Sequence, residues 1–265
     1  MSATLAPQRW FGEFSIAPGQ RGRWRIGPLE LLVEHTTGEW RVRRSYANEP
    51  STNENLPRIE QAESAEEGAG DRYIVADRGS QLSLLPLLPD RAVVARPLSP
   101  VFVPAGETVR LYVSMPVWLQ LSVGAGHKTL TELPTQTLSD TWFGPNTREG
   151  ELCYALRSRC RLTLDGDVVR PDRAITPVRI RNRAGSVLGL ERVRVPASQL
   201  SLYAEPSGRL WTSEVALERT EDGQFASLSI DTGAPLEARS ALPLAGPRET
   251  PPKKIAIRAF STLFQ

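Results

Sequence analysis

The residues best equipped for chemistry lie in one stretch, 138–158, which reads Leu-Ser-Asp-Thr-Trp-Phe-Gly-Pro-Asn-Thr-Arg-Glu-Gly-Glu-Leu-Cys-Tyr-Ala-Leu-Arg-Ser. It gathers three carboxylates, Asp140, Glu149 and Glu151, with Trp142, Phe143, Asn146, Tyr154 and Arg157 around a Gly144-Pro145-Asn146 turn. Paired carboxylates do acid–base work on glycosidic bonds, and a Trp142–Phe143 platform suits the apolar face of a sugar. The same residues also build a structural corner. Asp140 and Asn146 can bond turn amides, the aromatics can fill a seam, and Arg157 can pair with Glu151. The corner is the preferred reading; a carbohydrate-binding or hydrolytic site at residues 140–157 is the alternative.

Other chemistries have little material. His35 and His127 are the two histidines, too few for histidine catalysis or a zinc site. His35 sits at a hairpin end and reads as exposed. Gly124-Ala125-Gly126-His127-Lys128-Thr129 has a superficial likeness to a phosphate-binding loop. It lacks the first glycine, His127 interrupts the Gly-Lys pair, and no helix follows. Neither a nucleophile elbow nor a dinucleotide fingerprint is found. Cys153 and Cys160 make neither a disulfide framework nor a zinc pattern. The expectation is no metal, no cofactor and, on balance, no enzymatic activity.

The elements that carry these residues follow a period of two almost everywhere. Leu29–His35 and Glu39–Arg43 flank Thr36-Thr37-Gly38 and read as a hairpin. Short alternating runs return from residue 72 to 260, punctuated by many of the 22 prolines and 20 glycines. No long 3.6-residue period interrupts them, so the expected class is all-β with little helix, built as Ig-like β-sandwiches. Residues 47–71 differ: Glu49, Glu54, Glu60, Glu63, Glu66, Glu67 and Asp71 with few apolar groups predict an acidic mobile loop.

An internal echo suggests the domain plan. Pro100-Val101-Phe102-Val103, then Val109-Arg110-Leu111, resembles Pro177-Val178-Arg179-Ile180 followed by Leu188-Gly189-Leu190. A spacing near 80 residues suits a whole sandwich rather than a solenoid repeat. The predicted plan is two tandem units, 1–158 and 159–265, with 138–158 as their joint. In the second copy, Val178 and Ile180 face one way while Arg179, Arg181 and Arg183 face the other. Leu188/Leu190 and Val193/Val195 differ in parity, which predicts a β-bulge near Glu191-Arg192. The outer face then collects Arg179, Arg181, Arg183, Arg192 and Arg194, which reads either as a solvated strand face covered by the chain's own acidic 47–71 loop or as a docking surface for an acidic protein or an anionic membrane surface.

Overall charge is nearly balanced, 32 Lys and Arg against 30 Asp and Glu, and aromatic interleaving is missing, so nucleic acid is not the expected partner. The N-terminus carries no signal-peptide pattern. The longest apolar patch, Leu82–Leu88, is broken by Ser83 and Pro86 and is too short to span a bilayer. A reduced, cytoplasmic protein is expected.

Leu138–Gly144 and Gly150–Ala155, together with Arg173–Val178, Leu200–Tyr203, Leu210–Thr212 and Ala259–Ser261, resemble a prokaryotic family known as domain of unknown function 432. The resemblance covers about residues 90–264. It implies no activity, cofactor or catalytic residue.

Overall fold

The computed structural model describes residues 9–47, 58–61, 70–76, 79–144, 148–156, 160–164, 169–223, 225–251 and 255–261. Period-two patterning is realised as strands throughout. The first part holds β1 (Gly12–Ser15), β2 (Gln20–Ile26), β3 (Leu29–His35), β4 (Trp40–Tyr46), β5 (Arg58–Gln61), β6 (Asp71–Tyr73) and β7 (Gln81–Leu87). Then come β8 (Val93–Ala95), β9 (Val101–Val103), β10 (Thr108–Pro116), β11 (Trp118–Val123), β12 (Lys128–Pro134), β13 (Ser139–Phe143) and β14 (Glu151–Ala155). The last part holds β15 (Arg173–Asn182), β16 (Leu188–Leu190), β17 (Arg192–Val195), β18 (Leu202–Ala204), β19 (Leu210–Thr212) and β20 (Val215–Arg219). It ends with β21 (Phe225–Ile230), β22 (Leu242–Ala245), β23 (Ile255–Arg258) and β24 (Phe260–Ser261). The class is all-β, in several separate sheets, with no closed barrel among the described residues. No helix among the described residues is long and apolar enough to cross a membrane.

Two compact units divide the chain, and both are discontinuous: residues 1–87 with 117–137, and residues 88–116 with 138–265. This partition differs from a chain-order cut at residue 158. It follows the sheets, because β7 pairs with β11 across the 88–116 insertion, while β10 pairs with β15 over nine residues.

Unit 1 holds a four-stranded sheet, β1-β7-β11-β12, and a five-stranded one, β5-β2-β3-β4-β6. Their inner faces share Trp24, Leu31, Val33, Trp40, Leu82, Leu84, Leu119 and Leu121, all buried. Phe14 of β1 meets Trp24 of β2 edge to face at 5.4 Å. His35 is buried rather than exposed: it stacks on Trp40 at 4.0 Å and 5°, and its Nδ1 lies 2.7 Å from the Ile16 carbonyl oxygen. Alternation turns Arg21, Arg23 and Arg25 of β2 outward, opposite Glu34, Leu32 and Glu30 of β3, and Arg41 and Arg43 of β4 are in turn opposite Glu34 and Leu32. Arg72 of β6 is opposite Arg41.

Part of the expected acidic loop is ordered. Residues 58–61 form β5 on the edge of β2, with Arg58 opposite Arg23 and Glu60 opposite Arg21. Glu60 accepts bonds from Arg21 Nε at 2.8 Å and Arg23 Nε at 3.2 Å. Residues 48–57 and 62–69 lie outside the described residues.

Glu39 accepts from Arg41 Nε at 2.6 Å and from Arg72 Nε and Nη2 at 2.9 and 2.6 Å. The hydrogen bond from Arg72, then that from Arg41, holds its carboxyl below the ordinary carboxylate range. A depressed carboxyl contributes stability above its unfolded pKa and loses it as pH falls through the folded value. Stability is therefore expected to fall below pH 4.5, the ordinary value. Urea midpoints measured between about pH 2.5 and 6 should show a shallower acid loss in Glu39→Gln than in wild type.

Unit 2 holds an eight-stranded sheet, β22-β18-β19-β15-β20-β21-β23 with β10 on the far edge of β15. Beside it are a five-stranded sheet, β13-β14-β8-β17-β24, and a ribbon of β9 and β16. The echoed segments do not sit in separate units: they pair with each other. Val101 and Val103 oppose Leu190 and Leu188, while Leu111 and Val109 oppose Val178 and Ile180. Exchanging the two segments maps one set of pairs onto the other. The parity change near Glu191 is a change of sheet: β16 pairs with β9, and β17 pairs with β8 and β24. Leu188, Leu190, Val193 and Val195 are all fully buried as a result.

Candidate functional site

The 138–158 stretch is not split between units; β13 and β14 are neighbouring strands of one unit-2 sheet. Their register places Asp140 opposite Tyr154, Trp142 opposite Leu152, and Phe143 opposite Glu151. Directly opposed residues share a face and neighbours along a strand alternate. One face of the hairpin therefore carries Asp140, Trp142, Leu152 and Tyr154, and the other carries Thr141, Phe143, Glu151 and Cys153.

A polar cluster holds the first face. Arg91 Nη1 donates to Asp140 Oδ1 at 3.3 Å, and its guanidinium lies 5.1 Å from the Tyr154 ring centroid. The Tyr154 hydroxyl donates to Asp90 Oδ1 at 3.0 Å. Burial, reinforced by the Asp90 bond, raises the Tyr154 pKa. Beside this cluster Trp142 is 36% and Leu152 43% exposed.

The second face is a small core. Phe143 and Cys153 pack with Ala92 and Val94, and the Arg192 guanidinium lies 5.6 Å over the Phe143 ring. Arg194 grips Glu151 with both ends of its fork, Nε to Oε2 at 2.7 Å and Nη2 to Oε1 at 2.8 Å. Desolvation pushes the Cys153 thiol up to about 11, and Cys160 likewise to about 11.

Asp140 and Glu151 consequently face opposite ways and do not converge on one substrate. Glu149 lies exposed in the connecting turn. Asn146 and Arg157 fall outside the described residues. The described part of the stretch brings Asp140, Trp142 and Tyr154 together and separates them from Phe143 and Glu151. Among the described residues, no group of three or more His, Cys, Asp or Glu side chains is arranged to hold a metal ion.

Close packing fixes Trp142. A Cβ at Gly150 would meet Trp142 Nε1 at 2.0 Å, so only glycine leaves room for the indole. Gly150→Ala is expected to displace Trp142 and cost about 1–3 kcal/mol through overpacking. Thermal melts and tryptophan emission would show it, as a lower Tm with a red-shifted spectrum.

The five arginines expected on one outer face lie on two sheets. Arg179 and Arg181 are on β15, with Arg183 just beyond its end, while Arg192 and Arg194 are on β17. The assumption of one continuous sheet fails where the chain changes sheets at Glu191. Carboxylates and rings also engage them. Arg183 pairs with Glu218 at 3.2 Å, Arg194 with Glu151, and Arg192 with the Phe143 ring. Arg181 is exposed and opposite Thr108 and Glu218 in register.

Arg179 belongs to a larger network. It sits directly opposite Arg110 of β10, and both donate to the buried carboxylate of Glu214, Arg179 Nε at 2.6 Å. That hydrogen bond holds the Arg179 pKa above its usual value. Arg110 also reaches Glu237 at 2.8 Å, where the Tyr112 hydroxyl donates at 2.7 Å. Sequence reading passes over Arg91, Glu214 and Glu237, because each meets its partners dozens of residues away with no local pattern marking it.

No curated protein and no solved structure matches the chain. The family match begins well before the region where the resemblance is legible, and it spans both units. With residues 10–265 matched, the chain belongs to the family described as Protein of unknown function (DUF432).

Proposed function

We propose that this chain is a non-catalytic binding protein, working in the reducing cytoplasm, that takes a protein partner on the outer face of the β13–β14 hairpin. One observation carries the reading: Trp142 and Leu152, a large apolar cross-strand pair, stand exposed on a sheet-edge hairpin. Tryptophan is enriched among residues that dominate binding energy. The Arg91–Asp140–Tyr154–Asp90 cluster fixes the rim, so little side-chain freedom is lost when a partner seats there. The buried, unreactive thiols of Cys153 and Cys160 suit a protein that uses neither cysteine for chemistry.

The test compares partners co-purified from the native host by wild type and by Trp142→Ala/Leu152→Ser. The variant should lose at least about tenfold in affinity for a shared partner, roughly 1.4 kcal/mol or more, while Glu151→Gln binds like wild type. Retention by the variant sinks the proposal. Glycan-array binding that vanishes in Trp142→Ala would replace it with the carbohydrate reading, which Trp142 and Asp140 on one face favour.

A further inference from the structure

Unit 1 carries a second surface, independent of the hairpin reading. Seen together, the outward positions of the five-stranded sheet hold seven arginines, three from β2, two from β4 and one each from β5 and β6. Glu30, Glu34 and Glu60 share that face, and Glu39 binds its Arg41 and Arg72 at the rim. The face therefore carries a net charge of +3, almost two-thirds of its ionised groups being guanidinium. Several of these are well exposed: the side chains of Arg23, Arg25 and Arg72 are 45%, 43% and 66% accessible.

We propose that this face binds an extended acidic segment of a partner polypeptide. The molecule already contains the interaction in miniature. β5 adds to the edge of β2 as an extended strand and sets Glu60 against Arg21 and Arg23. These two arginines hold the Glu60 carboxyl below its usual range. Guanidinium forks match carboxylates two bonds at a time. Along β2 the arginines recur every second residue, which is the spacing at which another extended chain turns side chains to one side.

The glutamates argue against a uniform anionic surface. Glu34 is buried and has Arg21 and Arg41 as its register neighbours on either side, so the row Glu60–Arg21–Glu34–Arg41 alternates in sign. A partner with discrete carboxylates can avoid Glu34, whereas a lipid headgroup layer presents negative charge everywhere. Single-stranded nucleic acid is recognised largely by stacking on aromatic rings, and the outward positions of this sheet hold none among the described residues. Leu32, half-buried at the centre, offers the apolar contact that a polypeptide can use.

The experiment titrates the full chain into a fluorescein-labelled oligo-glutamate of about ten residues and reads anisotropy. Binding should be measurable below about 100 μM at low salt, and at least about tenfold weaker near 0.2 M salt. Arg23→Ser/Arg25→Ser/Arg43→Ser should weaken it at least about tenfold, while Arg181→Ser/Arg183→Ser on unit 2 should leave it unchanged. If the triple variant loses its circular-dichroism spectrum, Arg25→Ser/Arg43→Ser replaces it, with a loss of at least about threefold expected. Absence of peptide binding, or binding untouched by the unit-1 substitutions, overturns the proposal. Tighter binding to phosphatidylserine vesicles or to an oligothymidylate than to the peptide overturns it as well.

Discussion

Glu214→Ala is expected to destabilise the protein by about 1.5–3 kcal/mol, the range for hydrogen bonds to charged groups, because the two guanidinium groups it leaves behind are part-exposed. Glu214 sits at the short break between β19 and β20, where one strand line along β15 is handed to the next. Its side chain is only 5% exposed and accepts from two guanidinium groups at once. Those groups, Arg110 and Arg179, are directly opposed across the β10–β15 ladder. Like charges in that position repel, and the bridging carboxylate turns the repulsion into attraction. Without it, two cations face each other on the longest ladder among the described residues, with Glu237 left to compensate Arg110 and the exposed Asp231, at 3.8 Å, left to compensate Arg179. Chemical denaturation should show the loss as a lower midpoint. The same substitution in an Arg179→Ala background should cost markedly less, because the opposed charge is already gone. A Glu214→Ala shift under about 1 kcal/mol would falsify this account of the ladder.

Trp40→Ala should cost more, about 3–5 kcal/mol, for an unrelated reason. Trp40 is 1% exposed and among the largest fully buried side chains. Its removal leaves a cavity and takes away the flat partner on which the buried His35 ring is stacked. A fall in Tm of about 10 °C is expected for a domain of this size, with loss of near-ultraviolet ellipticity. Trp40→Phe should recover a good part of it by refilling the volume. A melt within about 2 °C of wild type for Trp40→Ala would show that the neighbouring side chains close over the gap.

Much of the strand pattern was legible because alternation maps directly onto burial. The Val178/Ile180 and Arg179/Arg181 assignment in β15 follows from side-chain period alone, and so does the parity break at Glu191. The meaning of that break was not legible. A bulge and a change of sheet produce the same parity signature, and only long-range pairing separates them. The Gln20–Ile26 strand is masked by Gly22, a residue depleted in strands. A Cβ there would lie 2.3 Å from the Trp24 ring, so packing dictates the glycine. Reading past it exposes Arg21, Arg23 and Arg25 as one outward row, the basic face that β15 and β17 do not share. In the hairpin, the carboxylates and aromatics were visible, but their division between two faces depends on the Trp142–Leu152 register. The partners that decide their roles, Arg91 and Arg194, come from strands and turns remote in sequence.

The mutual pairing of β9–β10 with β15–β16 also sets a timetable for synthesis. β10 is complete at Pro116, but its antiparallel partner begins at Arg173, more than 50 residues later. At translation rates of about 5–20 residues per second, β10 waits several seconds with an open edge. The first unit is delayed too, since β7 needs β11 from beyond the same insertion. Ladders of such sequence separation close slowly, and a nascent chain halted at residue 158 holds β9 and β10 with neither of their partners yet made. The segment 88–116 is thus the part of the chain most dependent on what is made after it, and the one a chaperone has most reason to shield.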